Sequence, residues 1–98
     1  MQIKPYRNPI YLAREWRKVL GEGQYSSPVA LARHLNISRA RVTQILNLLR
    51  LSPKVMDIVT LLRDPIKSWI ITEKRLRPIL ALTAEPQKAE VEIMLSKG

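Results

Sequence analysis

The 98-residue sequence contains no cysteine and a single histidine, and these absences exclude several kinds of site. Without thiols the chain cannot form a disulfide scaffold, a zinc–thiolate centre or a cysteine nucleophile. One histidine cannot supply a histidine-only cage for a metal ion. The three glycines stand at positions 21, 23 and 98, so no glycine-rich loop is present to cradle a phosphate. We therefore expect no metal, no cofactor, no small-molecule substrate and no enzymatic activity.

Long apolar runs are also missing. No window approaches the roughly 18 apolar residues of a membrane span. The N-terminal residues MQIKPYR lack the apolar stretch of a secretory signal. We expect a cytoplasmic protein without membrane contact, and the length predicts a single small domain over residues 1–98.

Basic side chains are in excess, and their distribution is uneven. The formal net charge is +9, and residues 1–77 carry 15 Lys/Arg and 5 Asp/Glu, a net charge of +10. Residues 28–50 contain four arginines and no acidic residue. Fields of this sign attract polyanions, nucleic acid above all. Charge alone does not decide the function, because solvated basic surfaces also occur on proteins that bind no polyanion.

Proline and small polar residues divide the sequence into short helices. Asn8-Pro9, Ser27-Pro28 and Ser52-Pro53 are each typical of a helix start, since the first residue can cap the helix and proline fits its first position. Ser38 and Thr72 are further candidate caps. Pro78 should kink or shorten the helix that it interrupts. The predicted segments are a helix over 9–20, a two-helix unit over 28–50, and supporting helices over 53–63, 73–82 and 84–96. The predicted fold class is all-α, a small bundle of five to six short helices.

The segment PVALARHLNISRARVTQILN, residues 28–47, meets the requirements of a helix-turn-helix. Two short helices that cross at a steep angle need a small residue at their closest approach, and Ala32 takes that position. The turn needs a residue that tolerates the left-handed conformation, for which Asn36 is suited. The apolar residues expected to be buried are Leu31, Leu35, Ile37, Val42 and Ile45, and Leu46 and Leu49 extend the seam of the second helix.

The outward face of the second helix carries side chains that can read DNA. At 100° per residue, Ala40, Gln44 and Asn47 lie opposite the apolar seam, with Arg41 and Thr43 beside them. Gln and Asn can pair with adenine in the major groove, and Arg with guanine. Ala40 or the Thr43 methyl group can contact a thymine methyl group. Ser38 and the free N–H groups of the first turn suit a backbone phosphate.

The stretch ALARHLNISRARVTQILNLLRLSPKV resembles the helix-turn-helix region of the ParB/KorB family, the bacterial partition proteins and repressors, and that of small mobile-element proteins. The similarity is strongest over residues 25–62. It implies a recognition helix in the major groove of an inverted-repeat site, with contacts from Ser38, Arg39, Ala40, Thr43, Gln44 and Asn47. It also implies that later helices add contacts, with these candidates: Lys54, Arg63, Lys67, Lys74, Arg75 and Arg77.

The resemblance has limits that matter for function. ParB proteins carry a nucleotide-binding domain and a dedicated dimerisation domain, and neither is found in these 98 residues. By resemblance, nucleotide-driven clamp closing is therefore not expected. Either the chain is a bare DNA reader or it was taken from something larger.

The sequence leads to one main functional hypothesis and one alternative. The main hypothesis is a sequence-specific duplex-DNA-binding protein, associated with the nucleoid, whose recognition helix 39–50 lies in the major groove. Its expected DNA-binding residues are Ser38, Arg39, Ala40, Arg41, Thr43, Gln44, Asn47 and Lys54. Such a protein could act as a repressor, partition or recombination accessory factor. The alternative is a helical protein-interaction module that keeps the fold without reading DNA.

A homodimer is a further hypothesis, because one recognition helix contacts too few base pairs for useful specificity. The apolar residues that could form its seam are Val91, Met94 and Leu95 of the last helix, or Trp69, Ile70 and Ile71.

Overall fold

The computed structural model describes residues 7–66 and 70–97 of the chain. Within these ranges the backbone forms six α-helices: α1 (Pro9–Gly21), α2 (Pro28–Leu35), α3 (Arg39–Asn47), α4 (Pro53–Leu61), α5 (Glu73–Leu76) and α6 (Ala84–Lys97). Two 3₁₀ helices, η1 (Leu48–Arg50) and η2 (Arg77–Ala81), continue α3 and α5 directly. The predicted all-α class is confirmed. Among the described helices, none combines the length and the apolar character that crossing a bilayer requires.

The starts of five helices lie where the sequence predicts them, because each has a side-chain cap. A side-chain oxygen of the residue before the helix accepts a hydrogen bond from a backbone N–H of the first turn, which would otherwise lack an intrahelical partner. These caps are Asn8, Ser27, Ser38, Ser52 and Thr72. Proline occupies the first position of α1, α2 and α4, where its missing N–H costs nothing.

Five helix ends differ from the prediction. The first helix, expected over 9–20, extends to Gly21, and the recognition helix expected over 39–50 is α-helical only to Asn47 before it tightens into η1. The helix expected over 53–63 ends at Leu61, and Arg63 adopts the left-handed conformation with φ of 67°. The segment expected over 73–82 is α-helical only to Leu76 and then tightens into η2. Pro78 explains this change, since it has no N–H to continue the α-helical pattern, so the predicted shortening is confirmed. The last helix extends to Lys97, one residue beyond the expected end.

Two apolar clusters are connected by α1. The larger cluster contains fully buried side chains of α4, α6, η1 and η2, and Ile10 enters it from the first turn of α1. The smaller cluster is built on Leu31, Ala32 and Val42, and Trp16 and Leu20 pack against it from the last turns of α1. Because α1 contacts α3, η1 and α4, it fixes the position of the α2–α3 pair relative to the rest of the bundle.

The expected apolar seam of α2 and α3 is correct except at two positions. Leu31, Val42 and Ile45 are buried, but the prediction for Leu35 is wrong: its side chain is 38% exposed. The turn after α2 places Ile37 against the smaller cluster instead. Leu49 is only half-buried, whereas Leu48 is fully buried. Leu48 lies three residues after Ile45, on the same side of the helix, and packs within the larger cluster.

Two residues of the expected dimer seam are buried within the single chain. Val91 and Ile71 are fully buried within the larger cluster, so they cannot contact a second chain in this conformation. Met94 and Leu95 pack partly against the same cluster. Trp69 and Lys67 lie outside the described residues.

Ala32 provides a test of the close approach between α2 and α3. Its side chain is 3% exposed and lies in the smaller cluster. We expect Ala32→Leu to lower the free energy of unfolding by about 1–3 kcal/mol, because the added carbons must displace packed neighbours. The matched control is Ala89→Leu on the exposed side of α6, which should have little effect since the two residues have similar helix propensity. Urea denaturation of both variants measures the difference, and equal stabilities would contradict the assigned packing.

Candidate nucleic-acid interface

The connection between α2 and α3 is a tight turn centred on Asn36. Asn36 has φ of 58° and ψ of 44°, in the left-handed region. Its N–H donates to the carbonyl of Arg33 at 3.2 Å, and the N–H of Ile37 donates to the carbonyl of Ala32 at 3.0 Å. These two bonds form a Schellman motif, which satisfies carbonyls that the end of α2 leaves unpaired. The predicted role of Asn36 in the turn is thereby confirmed.

The first turns of α3 present an open, acid-free surface. Ser38 caps the helix, its hydroxyl oxygen accepting from the N–H of Arg41 at 3.0 Å. Arg39, Ala40 and Thr43 are exposed. Neither α2 nor α3 contains an acidic residue. This part of the predicted face is available to a partner.

A buried carboxylate joins α3 to α5 and η2. The side chain of Glu73 is only 1% exposed, and both of its carboxylate oxygens accept hydrogen bonds. Arg41 Nη1 donates to Glu73 Oε1 at 2.7 Å, and Arg77 donates from Nε to Oε2 at 2.8 Å and from Nη2 to Oε1 at 2.8 Å. The two guanidinium groups remain 47% and 49% exposed. The three side chains together carry a net charge of +1, so this carboxylate does not present an open negative charge beside α3.

Gln44 and Asn47 lie where α3 meets η2, and both are half-buried. Gln44 Oε1 accepts a hydrogen bond from Arg77 Nη2 at 3.2 Å. Asn47 lines a cleft between the end of α3 and η2, together with Arg77. The expectation that both side chains lie on an open outward face therefore needs refinement: they line its edge, beside η2, and neither is enclosed by neighbouring helices.

Lys54 lies apart from the α3 face, in the first turn of α4. Its amine is 3.6 Å from a carboxylate oxygen of Glu85, at the start of α6. Both side chains are exposed, at 65% and 78%, so this ion pair contributes little to stability and leaves the amine accessible. No described contact brings Lys54 to α3.

The remaining basic candidates are dispersed. Arg63 and Lys74 are exposed, Arg75 is half-buried, and Arg77 belongs to the Glu73 cluster. His34 is an exposed residue of α2, and its ring lies 5.2 Å from that of Tyr25.

Hydrogen bonds from arginine set the protonation of the buried carboxylate. Donation from Arg77 lowers the pKa of Glu73 below its usual value, and the charges of Arg77 and Arg41 act in the same direction. Burial opposes this effect but does not overcome it. Glu73 is therefore ionised at neutral pH, as the two ion pairs require.

Sequence reasoning missed the contact of Glu73 with α3. One signal was present, since Glu73 and Arg77 are separated by four residues with the acid first, the favourable order on a helix. The contact with Arg41 had no sequence signal, because 32 residues separate the two partners.

No protein-family model, no curated protein and no solved structure matches this chain.

The Glu73 cluster predicts a pH dependence of stability. Because the folded-state pKa of Glu73 is lowered, its contribution is fully present above the unfolded value, near 4.5, and is lost as the pH falls through the folded-state pKa. We expect Glu73→Gln to lower the free energy of unfolding at pH 7 by about 1–3 kcal/mol, the range for a hydrogen-bonded charge. The penalty is smaller than for a fully buried ion pair because the arginines keep contact with water.

Denaturant unfolding at neutral pH and near pH 3 checks this expectation. The difference between the native chain and Glu73→Gln should shrink in acid, as the pH falls below the unfolded value and then through the lowered folded-state pKa of Glu73. Asp64 leaves a second acid-sensitive contribution in both proteins: burial alone would raise its pKa, but hydrogen bonds from Arg7 and from the Asn8 N–H lower it. A difference that is the same at both pH values would contradict the role assigned to Glu73.

Proposed function

We propose that the chain binds duplex DNA sequence-specifically, with α2 and α3 acting as a helix-turn-helix and α3 entering the major groove. On this proposal it is a ParB/KorB-like DNA reader, associated with the nucleoid, that serves as a repressor, partition or recombination accessory factor. It acts by binding and not by catalysis.

One observation carries the proposal: the outward face at the start of α3 is exposed, basic and free of acid, directly after a tight turn. A recognition helix uses its N-terminal residues to reach base edges. Here those residues are Arg39, Ala40 and Thr43, which are exposed, and Ser38, whose hydroxyl lies at the helix start. The Schellman turn at Asn36 and the buried Ala32 hold α2 across the back of α3.

The contacts around α3 divide the proposed roles. Arg39, Ala40 and Thr43 are proposed to face base edges. Gln44 reads from the edge of the face, and because its Oε1 already accepts from Arg77, its Nε2 donors are the atoms it offers most readily to base acceptors. Ser38, Arg41 and Lys54 are assigned to backbone phosphates, which fix the register without reading sequence.

Specific binding by so small a reader calls for two copies on an inverted repeat, with half-sites about 34–36 Å apart. Val91 and Ile71 are buried in this conformation, so they are not proposed as part of the surface that would pair two copies. We retain the dimer as part of the proposal and leave its seam unassigned.

A specific groove favours the alternative, a protein-interaction module. Leu20, Leu46 and Leu49 are half-buried and line a groove of about 340 Å³ between α1 and the end of α3, with Arg17 and Arg50 also lining it. An apolar floor with basic residues beside it would suit an acidic amphipathic segment of a partner.

Selection from random duplex DNA at a fixed salt concentration tests the proposal. We expect a single enriched motif with two-fold symmetry. The affinity for this motif should fall by a factor of about 10³–10⁵ between 50 and 200 mM salt if six to ten phosphates are contacted. The affinity of an interaction through the groove of Leu20, Leu46 and Leu49, the leucine groove, would change little with salt. No enrichment at low salt would contradict DNA reading.

Two substitutions separate reading from positioning. Gln44→Ala should weaken binding to the selected site by about 1–3 kcal/mol and relax the base preference at one position. Lys54→Ala should weaken binding to all sequences alike and flatten the salt dependence. Lys18→Ala, an exposed lysine of α1, is the matched control for loss of one positive charge. Fluorescence anisotropy on matched and single-mismatch duplexes provides the measurement, and identical profiles for Gln44→Ala and Lys54→Ala would contradict the division.

A further inference from the structure

A cleft of about 360 Å³ lies between the end of α3 and η2, and its polar lining is strongly basic. Arg50 of η1 and Arg77 of η2 both line it, together with Asn47. Leu80 and Ala81 complete the wall. No carboxylate lines the cleft among the described residues.

Arg77 is held in place at this cleft. Its Nε and Nη2 groups both donate to the buried carboxylate of Glu73, and Nη2 also donates to Gln44. Its Nη1 group makes no hydrogen bond to a described residue. A long side chain that is already ordered loses little further conformational entropy when it binds a ligand. The Nη1 group of Arg77, with its two N–H bonds, is therefore pre-organised and open.

Arg50 adds a second positive charge to the cleft, and no described acidic side chain forms an ion pair with it. Its side chain is exposed and forms no ion pair or hydrogen bond within residues 7–66 and 70–97. Two guanidinium groups that line one concave site repel each other, and an anion between them relieves that repulsion. The apolar wall formed by Leu80 and Ala81 reduces local solvent screening, which strengthens attraction for a bound anion.

The donor chemistry indicates which anion fits. The guanidinium of Arg50 can present a flat pair of N–H donors that matches two oxygens of phosphate. Arg77 offers the N–H bonds of Nη1, and the Asn47 amide can add a further donor. We propose that this cleft binds a phosphate group, and that in the DNA complex the group is a backbone phosphate at the C-terminal end of α3. The DNA source of the phosphate rests on the proposed function, whereas a small phosphorylated ligand would use the same donors.

The first experiment titrates the full chain with inorganic phosphate and follows backbone amide signals by NMR, with sodium chloride at equal ionic strength as the reference. We expect saturable shifts at Asn47, Arg50, Arg77 and Ala81. Arg50→Gln should abolish saturation, whereas Arg14→Gln, an exposed arginine of α1, should not. Asn47→Asp is a second, nearly isosteric variant that places a negative charge in the cleft and should also abolish saturation. Non-saturating shifts in the native chain would overturn the site.

The second experiment distinguishes the two sources of phosphate by measuring duplex-DNA affinity against salt. Loss of one phosphate contact in Arg50→Gln should reduce the slope of log K against log salt by about 0.9 relative to Arg14→Gln. Phosphate saturation with equal slopes in the two variants would overturn the DNA source and support a small phosphorylated ligand. If the native chain binds no duplex at all, the proposed function fails, while the phosphate titration still decides the cleft.

Discussion

The candidate interface depends on the two ion pairs that the buried Glu73 carboxylate forms with Arg41 and Arg77. A carboxylate that is 1% exposed is costly unless its oxygens are bonded, and Arg41 and Arg77 provide those bonds from opposite sides. Because Arg41 belongs to α3 and Arg77 to η2, the same bonds attach the end of the bundle to the helix proposed to read DNA. The geometry of Gln44 and of the basic cleft follows from this attachment, since Arg77 contacts Gln44 and lines the cleft.

Short-range chemistry made much of the fold predictable. The caps at Asn8, Ser27 and Ser52, each followed by proline, act within one helical turn and so can be identified from neighbouring residues. Asn36 was predictable for the same reason, because few residue types tolerate the left-handed conformation. The interruption at Pro78 was expected, but not the 3₁₀ geometry that follows it.

Long-range contacts account for what the sequence did not predict. The burial of Glu73 depends on a contact between segments separated by 32 residues, which no local pattern encodes. The burial of Leu48 instead of Leu49 accompanies the packing of η1 against α1 and η2, which a fixed 100° periodicity does not represent. The open part of the candidate interface, formed by Arg39, Ala40 and Thr43, was predictable because it follows a capped helix start. The edge at Gln44 was not, since it depends on packing by η2.

The most direct test of the account is an NMR map of the surface that contacts the selected DNA duplex. The account predicts that the largest amide shifts fall on residues 38–44, at the start of α3, with a second group at Asn47, Arg50 and Arg77. It predicts small shifts along the exposed side of α6. Large shifts confined to α6 or to the leucine groove, with residues 38–44 unchanged, would contradict the assignment of α3 as the reading helix.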